Sequence, residues 1–140
     1  MYDKEKIYST LRQTGLDTNN YWVVAGAAMV LHGVKECTRD IDLGCSRELA
    51  NQLQRAGYDT EFYEDGSRRI QYCPDIEIFE DWRKGDLEEI DGISVVSLEG
   101  IIMMKQRLGR EKDKDKEDIR LICKYIEMSG GRYANKDIYR

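Results

Sequence analysis

The chain has 140 residues, 35% of them charged and 41% hydrophobic, with a formal net charge of −5. That length suits a single domain, 1–140, with a substantial core; the composition excludes a disordered polypeptide, and no apolar run is long enough to cross a bilayer. The acidic balance disfavours a broad basic face for a nucleic-acid backbone, although a local cluster of cations could still hold phosphates.

The opening "MYDKEKIYSTLRQ" lacks the apolar stretch and cleavage site of a secretory signal, which predicts a cytoplasmic protein. Cys37, Cys45, Cys73 and Cys123 are widely spaced and form no C-x-x-C pair. They are expected to be reduced thiols, not a disulfide framework or a thiolate zinc site.

Ile7 and Leu11, with Leu16 beyond, predict an amphipathic first helix ending near Gly15. "YWVVAG" reads as a short buried strand running to Gly26, and "AAMVLHG" as a helix stopped by Gly33. Next, "RDIDLGCS" alternates apolar Ile41 and Leu43 with Asp40 and Asp42, so a strand is expected with both carboxylates on one face. Ser46 can cap the following helix, "RELANQLQRAG", which carries Leu49 and Leu53 on one side and stops at Gly57. A hairpin turning at Asp65-Gly66 follows, then an extended piece after Pro74, the chain's single proline. "GISVVS" predicts another short strand. The last third is expected to be helical, from "SLEGIIMMKQRLG", with Ser97 at its start and Gly109 as its break, through the charged connection "REKDKDKED" to "KEDIRLICKYIEM". The tail "SGGRYANKDIYR" is expected to be mobile unless Tyr133 or Tyr139 docks.

Two carboxylates aimed at one spot repel, by roughly 4 kcal/mol at about 4 Å and an effective dielectric near 20, and a divalent cation is the natural compensator. Oxygen-only ligands on a rigid strand suit Mg²⁺, which takes its remaining ligands from water and substrate phosphates. Gly26, between a buried strand and a helix, marks a place where free backbone amides and the helix dipole can meet an anion; it also reads as a plain turn or close-packing residue. Asp75 and Glu77 in "PDIEIFEDW" alternate with Ile76 and Ile78 and so share a second polar strand face. The sole histidine, His32, reads as a capping or packing residue near a helix end, Met103 and Met104 as helix core, and Trp22 and Trp82 as packing anchors.

A glycine at a strand-to-helix turn, a short helix and D-h-D on the next strand (h, hydrophobic), here "AGA...RDIDL", resembles the signature of the nucleotidyltransferase superfamily related to DNA polymerase beta. The stretch "LHGVKECTRDIDL" and the later "SLEGIIMMKQRLGREKDKDKEDI" are similar to segments of small bacterial minimal nucleotidyltransferases, including the group related to abortive-infection and toxin-antitoxin proteins. The resemblance implies an α+β fold: a mixed sheet backed by helices, with a C-terminal helical segment closing a cleft. It further implies a metal-dependent transfer of a nucleoside monophosphate from a triphosphate to an acceptor hydroxyl, with pyrophosphate leaving. Asp40, Asp42 and Glu77 would be the catalytic and metal-holding carboxylates, for two Mg²⁺ ions, with Asp75 as the alternative to Glu77. Gly26 and Ala27 would accept the triphosphate, and Lys105 would lie near its phosphates. Arg110, Lys112, Lys114, Asp115 and Asp118 fall in the similar segment without an assigned role. The acceptor, whether a small molecule, a tRNA end or a protein side chain, stays open, as does a partner protein of the toxin-antitoxin kind. Two alternatives stand beside this reading: a non-catalytic relative that binds a nucleotide or a partner, and an unrelated metal-dependent phosphate-ester hydrolase.

Overall fold

In the computed structural model, residues 1–83, 85–109 and 112–129 are described. Arg110, Tyr133 and Tyr139, singled out above, lie outside the described residues. Helix α1 (Lys4–Thr14) starts at Asp3, whose side chain accepts from the Lys6 amide, and ends at Gly15 in the left-handed conformation. Strand β1 (Tyr21–Val24) leads into α2 (Ala25–His32), which Gly33 terminates at φ 90°. Strand β2 (Ile41–Cys45) precedes α3 (Arg47–Arg55), capped by Ser46 through the Leu49 amide.

The hairpin β3 (Asp59–Phe62) and β4 (Arg68–Cys73) turns at Asp65-Gly66, as its sequence predicts, and β5 (Ile76–Glu80) follows Pro74. A second hairpin joins β6 (Leu87–Ile90) to β7 (Ile93–Val96). The Asp91-Gly92 pair, both at positive φ, makes its turn. Helices α4 (Leu98–Leu108) and α5 (Asp113–Met128) complete the described chain. Among the described residues no helix is long and apolar enough to cross a membrane.

The strands form one mixed sheet in the order β3-β4-β5-β2-β1-β7-β6. Strand β2 runs antiparallel to β1 and parallel to β5, and β1 runs parallel to β7. Period-2 alternation sorts the two faces. Val23, Ile41, Leu43, Ile70, Ile76, Ile78 and Val95 are all at most 1% exposed and build the core face, on which α2 packs against β1, β2 and β7 while α3 covers β4. Asp42, Glu77 and Gln71, aligned across β2, β5 and β4, occupy the opposite face.

At the edge of the core, Arg68 and Glu80 form a buried two-pronged pair: Nε to Oε1 at 2.8 Å and the second guanidinium nitrogen to Oε2 at 2.7 Å. The Arg68 amide also donates to Oε1, and Gln54 on α3 accepts from the remaining guanidinium arm at 2.8 Å. This network joins α3 to the β4/β5 ladder. It satisfies two charges that the core would otherwise exclude.

Candidate functional site

The site begins at the junction of β1 and α2. The expected turn at Gly26 lies one residue earlier: Ala25 has φ 55°, a left-handed conformation costly for alanine, and Gly26 belongs to the first turn of α2. At position 26 an added Cβ would stand 2.7 Å from Thr38 Oγ1, so the loop before β2 passes close over the helix start. Val24, the N-cap residue, has no side-chain oxygen, and the first-turn amides of α2 have no side-chain cap. Ala25 and Gly26 are half-buried, whereas Ala27 is fully buried against the core. The accessible part of the turn is therefore Ala25-Gly26, one residue upstream of the expected Gly26-Ala27.

Asp40 lies in a bend just before β2, exposed, and not within the strand as its alternation suggested; the β2 ladder begins at Ile41, opposite Ile76. Asp42 sits inside the strand, half-buried, and stands directly opposite Glu77 in the parallel ladder. Neighbouring strands run about 4.8 Å apart, so these two side chains leave adjoining positions on one face. The Asp42 carboxyl is pushed up from 3.8 to about 6, first by burial and then by the negative charges of Asp40 and Glu77, against the opposing pull of Lys114 and Arg69.

Arg69 on β4 brings its Nε to 3.5 Å from Glu77 Oε2, with Glu61 4.0 Å from its other end. Asp75 goes elsewhere. The Tyr2 hydroxyl donates to Asp75 Oδ2 at 2.7 Å, and that bond is the main reason the phenol is pushed up to about 12. Register and hydrogen bonding thus set Glu77, and not Asp75, beside Asp42. Arg69 has no local sequence signal and becomes visible only once β4 is paired with β5; Lys114, which the sequence left without a role, comes to act on Asp42 only once the start of α5 is placed.

Lys105 is mostly buried between α4 and α5, with Nζ 3.0 Å from both Asp115 Oδ1 and Asp118 Oδ2; Lys35 meets the other oxygen of Asp118 at 2.7 Å. Its charge is matched by carboxylates of its own chain, and these pairs link α4 to α5. His32 packs as expected, its buried Nε2–H donating to the Val96 carbonyl at 2.8 Å.

An open cleft of about 1140 Å³ extends from Asp42 along this face, walled by Phe79, Trp82, Arg83, Met104 and Arg107. Gly44 lies two residues beyond Asp42 on the same strand. Trp22 lies across that glycine so closely that a Cβ would fall 2.0 Å from its Nε1, which donates to the Trp82 carbonyl at 2.9 Å. Phe79 and Trp82 touch with ring centroids 4.5 Å apart. Met104, expected in the core, is half-buried and lines the cleft.

Among the described residues no three Asp, Glu, His or Cys side chains are gathered closely enough to hold a metal ion. The donor chemistry nevertheless fits a hard cation: Asp40, Asp42 and Glu77 offer only carboxylate oxygens, and Asp42 is raised first by burial and then by the charges of the other two. Collecting them around an ion requires Glu77 to turn from Arg69.

No protein-family model matches the chain, and no curated protein sequence matches it significantly. Several solved structures do match by shape. One, TM1012 from Thermotoga maritima, provisionally assigned as a nucleotidyltransferase, superposes with a TM-score of 0.56 at 18% identity, over 91% of this chain and 96% of that one. Another, ANT(2″)-Ia in complex with adenylyl-2″-tobramycin, gives a TM-score of 0.54 at 22% identity, over 89% of this chain and 88% of that one.

The chain has the nucleotidyltransferase fold. In this version of the fold, Ala25 of the uncapped β1-α2 turn and Asp42 open onto the same cleft as the aromatic wall. At these identities the likeness establishes architecture alone.

Proposed function

We propose that this protein is a Mg²⁺-dependent nucleotidyltransferase that moves a nucleoside monophosphate from a triphosphate, ATP among them, to an acceptor hydroxyl. The supporting observation is the pairing of Asp42 with Glu77 at one register of neighbouring parallel strands, beside an uncapped strand-to-helix turn in this fold.

Asp40, Asp42 and Glu77 are the residues that would hold two Mg²⁺ ions. When bound there, the ions supply charge neutralisation for the triphosphate and lower the pKa of the acceptor hydroxyl. The amides at Ala25 and Gly26, at the positive end of α2, receive phosphate oxygens. Arg69 and Lys114 add cationic charge along the same face. Glu77 takes the proton of the acceptor hydroxyl as its oxygen bonds to the α-phosphorus and the bond from that phosphorus to the bridging oxygen breaks, so that pyrophosphate departs. The cleft walled by Phe79 and Trp82 has room for a nucleotide and a small acceptor together, so alignment of the two accounts for a large part of the rate.

The two motif-bearing segments around Asp40 and Lys105 favour the small bacterial group related to abortive-infection and toxin-antitoxin proteins, acting in the cytoplasm beside a partner protein. The adenylylated tobramycin carried by ANT(2″)-Ia makes a small polyhydroxylated molecule the first acceptor class to assay, ahead of a tRNA end or a protein side chain. One observation favours a second reading: Glu77 leans toward Arg69, and the described residues hold no ready-made metal cluster, as in a domain that binds nucleotide without turnover.

Incubation with Mg²⁺, α-labelled triphosphates and a panel of acceptors separates these readings, with Asp42→Asn as control. Transfer of label with one pyrophosphate per product, abolished in Asp42→Asn, is the expected result. Saturable nucleotide binding with no pyrophosphate would leave the non-catalytic reading, and inorganic phosphate without a nucleotidylated product would mean hydrolysis.

A further inference from the structure

Asp40 is the one proposed metal-holding carboxylate without a ladder to hold it, since it precedes β2. What fixes it comes from the N-terminus. The Tyr2 amide donates to the Thr38 carbonyl at 2.7 Å and the Thr38 amide donates back to the Tyr2 carbonyl at 2.9 Å, an isolated antiparallel bridge just upstream of Asp40. The chain from Thr38 to Ile41 is thereby pinned at both ends, at one by this bridge and at the other by the Ile41 amide donating to the Asp75 carbonyl at 2.8 Å.

The Tyr2 side chain extends the connection. Its hydroxyl reaches Asp75, which precedes the β5 strand that carries Glu77, and Lys6 lies over its ring at 4.9 Å. Thr38, in turn, rests on Gly26 at the start of α2. One residue thus contacts the lead-ins to both carboxylate strands directly and the anion-binding turn through Thr38. The hydroxyl-to-Asp75 bond is exposed, so its net contribution to folding is small. A bond of that kind can define geometry while adding little stability.

Resting on the nucleotidyltransferase reading, we propose that Tyr2 is a positioning residue: its bonds to Thr38 and Asp75 set the spacing of Asp40 from Asp42 and Glu77. It touches neither nucleotide nor metal. Supporting contacts of this sort commonly change metal affinity by about tenfold or more while leaving the ligands themselves intact.

The test is Mn²⁺ binding, followed by the electron-spin resonance of the free ion, on the full chain and its variants, with a thermal melt of each. Tyr2→Phe and Asp75→Ala should each weaken Mn²⁺ binding about tenfold with the melting temperature nearly unchanged. Asp75→Asn keeps an oxygen for the phenol and should retain the wild-type affinity, and the double variant Tyr2→Phe/Asp75→Ala should be no weaker than either single one. Wild-type affinity in both Tyr2→Phe and Asp75→Ala overturns the proposal, as does an equal loss in Asp75→Asn, which would assign the effect to charge. Failure of the wild-type chain itself to bind Mn²⁺, with Asp42→Asn indistinguishable from it, overturns the metal-dependent reading and this inference with it.

Discussion

Asp42→Asn should make the metal-free protein more stable at neutral pH. The carboxyl stands near 6 in the folded chain against 3.8 ordinarily, so between those values the native state binds a proton that the unfolded state has released, and stability falls as pH rises through that window. Above both values the native protein carries the whole cost of the charged, half-buried group. At 1.36 kcal/mol for each tenfold displacement the cost reaches about 3 kcal/mol, and with partial solvent exposure the working range is about 1–3 kcal/mol. Asparagine keeps the shape and removes the charge.

Urea denaturation in EDTA at pH 7.5 should show that gain as a higher midpoint with an unchanged slope, and the gain should nearly vanish at pH 3.5, where the wild-type carboxyl is mostly protonated whether folded or not. Mg²⁺ should then stabilise the wild type and leave the variant unmoved. A variant no more stable than wild type at pH 7.5, or one whose advantage persists at pH 3.5, would refute the assignment of the strain to repulsion and burial at this site.

Glu80→Ala leaves the Arg68 guanidinium buried beside Gln54 alone, and should cost about 3–5 kcal/mol in urea denaturation at pH 7. Because Arg68 holds the Glu80 carboxyl below its ordinary range, the difference should shrink as the pH is lowered through that depressed value. Lys105→Met removes the cation shared by Asp115 and Asp118 and should cost about 2 kcal/mol, with exchange of the α5 amides accelerating ahead of those in β2. Gly44→Ala should displace Trp22 and break its bond to the Trp82 carbonyl, seen as a shift in tryptophan emission and a loss of about 2 kcal/mol.

Local chemistry made much of this fold readable before any coordinates. Capping residues such as Ser46 and Ser97, stop signals such as Gly15 and Gly33, and the Asp65-Gly66 turn all act within a few residues of themselves, and each lies where its spacing predicts. The β6-β7 hairpin was equally local: its Asp91-Gly92 turn signal was present but unread. The start of α5 at Asp113, earlier than its apolar periodicity suggests, follows from Asp113 and Asp115 favouring a helix N-terminus.

The site was less legible, because its relations run between segments distant in the chain. Period-2 alternation set Asp40 and Asp42 together, yet only the pairing of β2 with β5 and β1 decides that the ladder starts at Ile41 and leaves Asp40 outside it. The same pairing separates Glu77 from Asp75, which alternation alone treats alike. Ala25 takes the positive φ where a glycine one residue later invited the turn, and Thr38 passes close over Gly26, a contact no local pattern announces. Lys105 similarly became the centre of an ion cluster only when α5 folded back on α4.

A crystal structure with Mg²⁺ and a non-hydrolysable triphosphate puts the central claim to its most direct test. Mg²⁺ should lie between Asp42 and the phosphates, with Asp40 and Glu77 drawn in, and phosphate oxygens should sit on the amides of Ala25 and Gly26. A nucleotide bound away from the β1-α2 turn, or Asp42 and Glu77 left without metal while the triphosphate is seated, would contradict it.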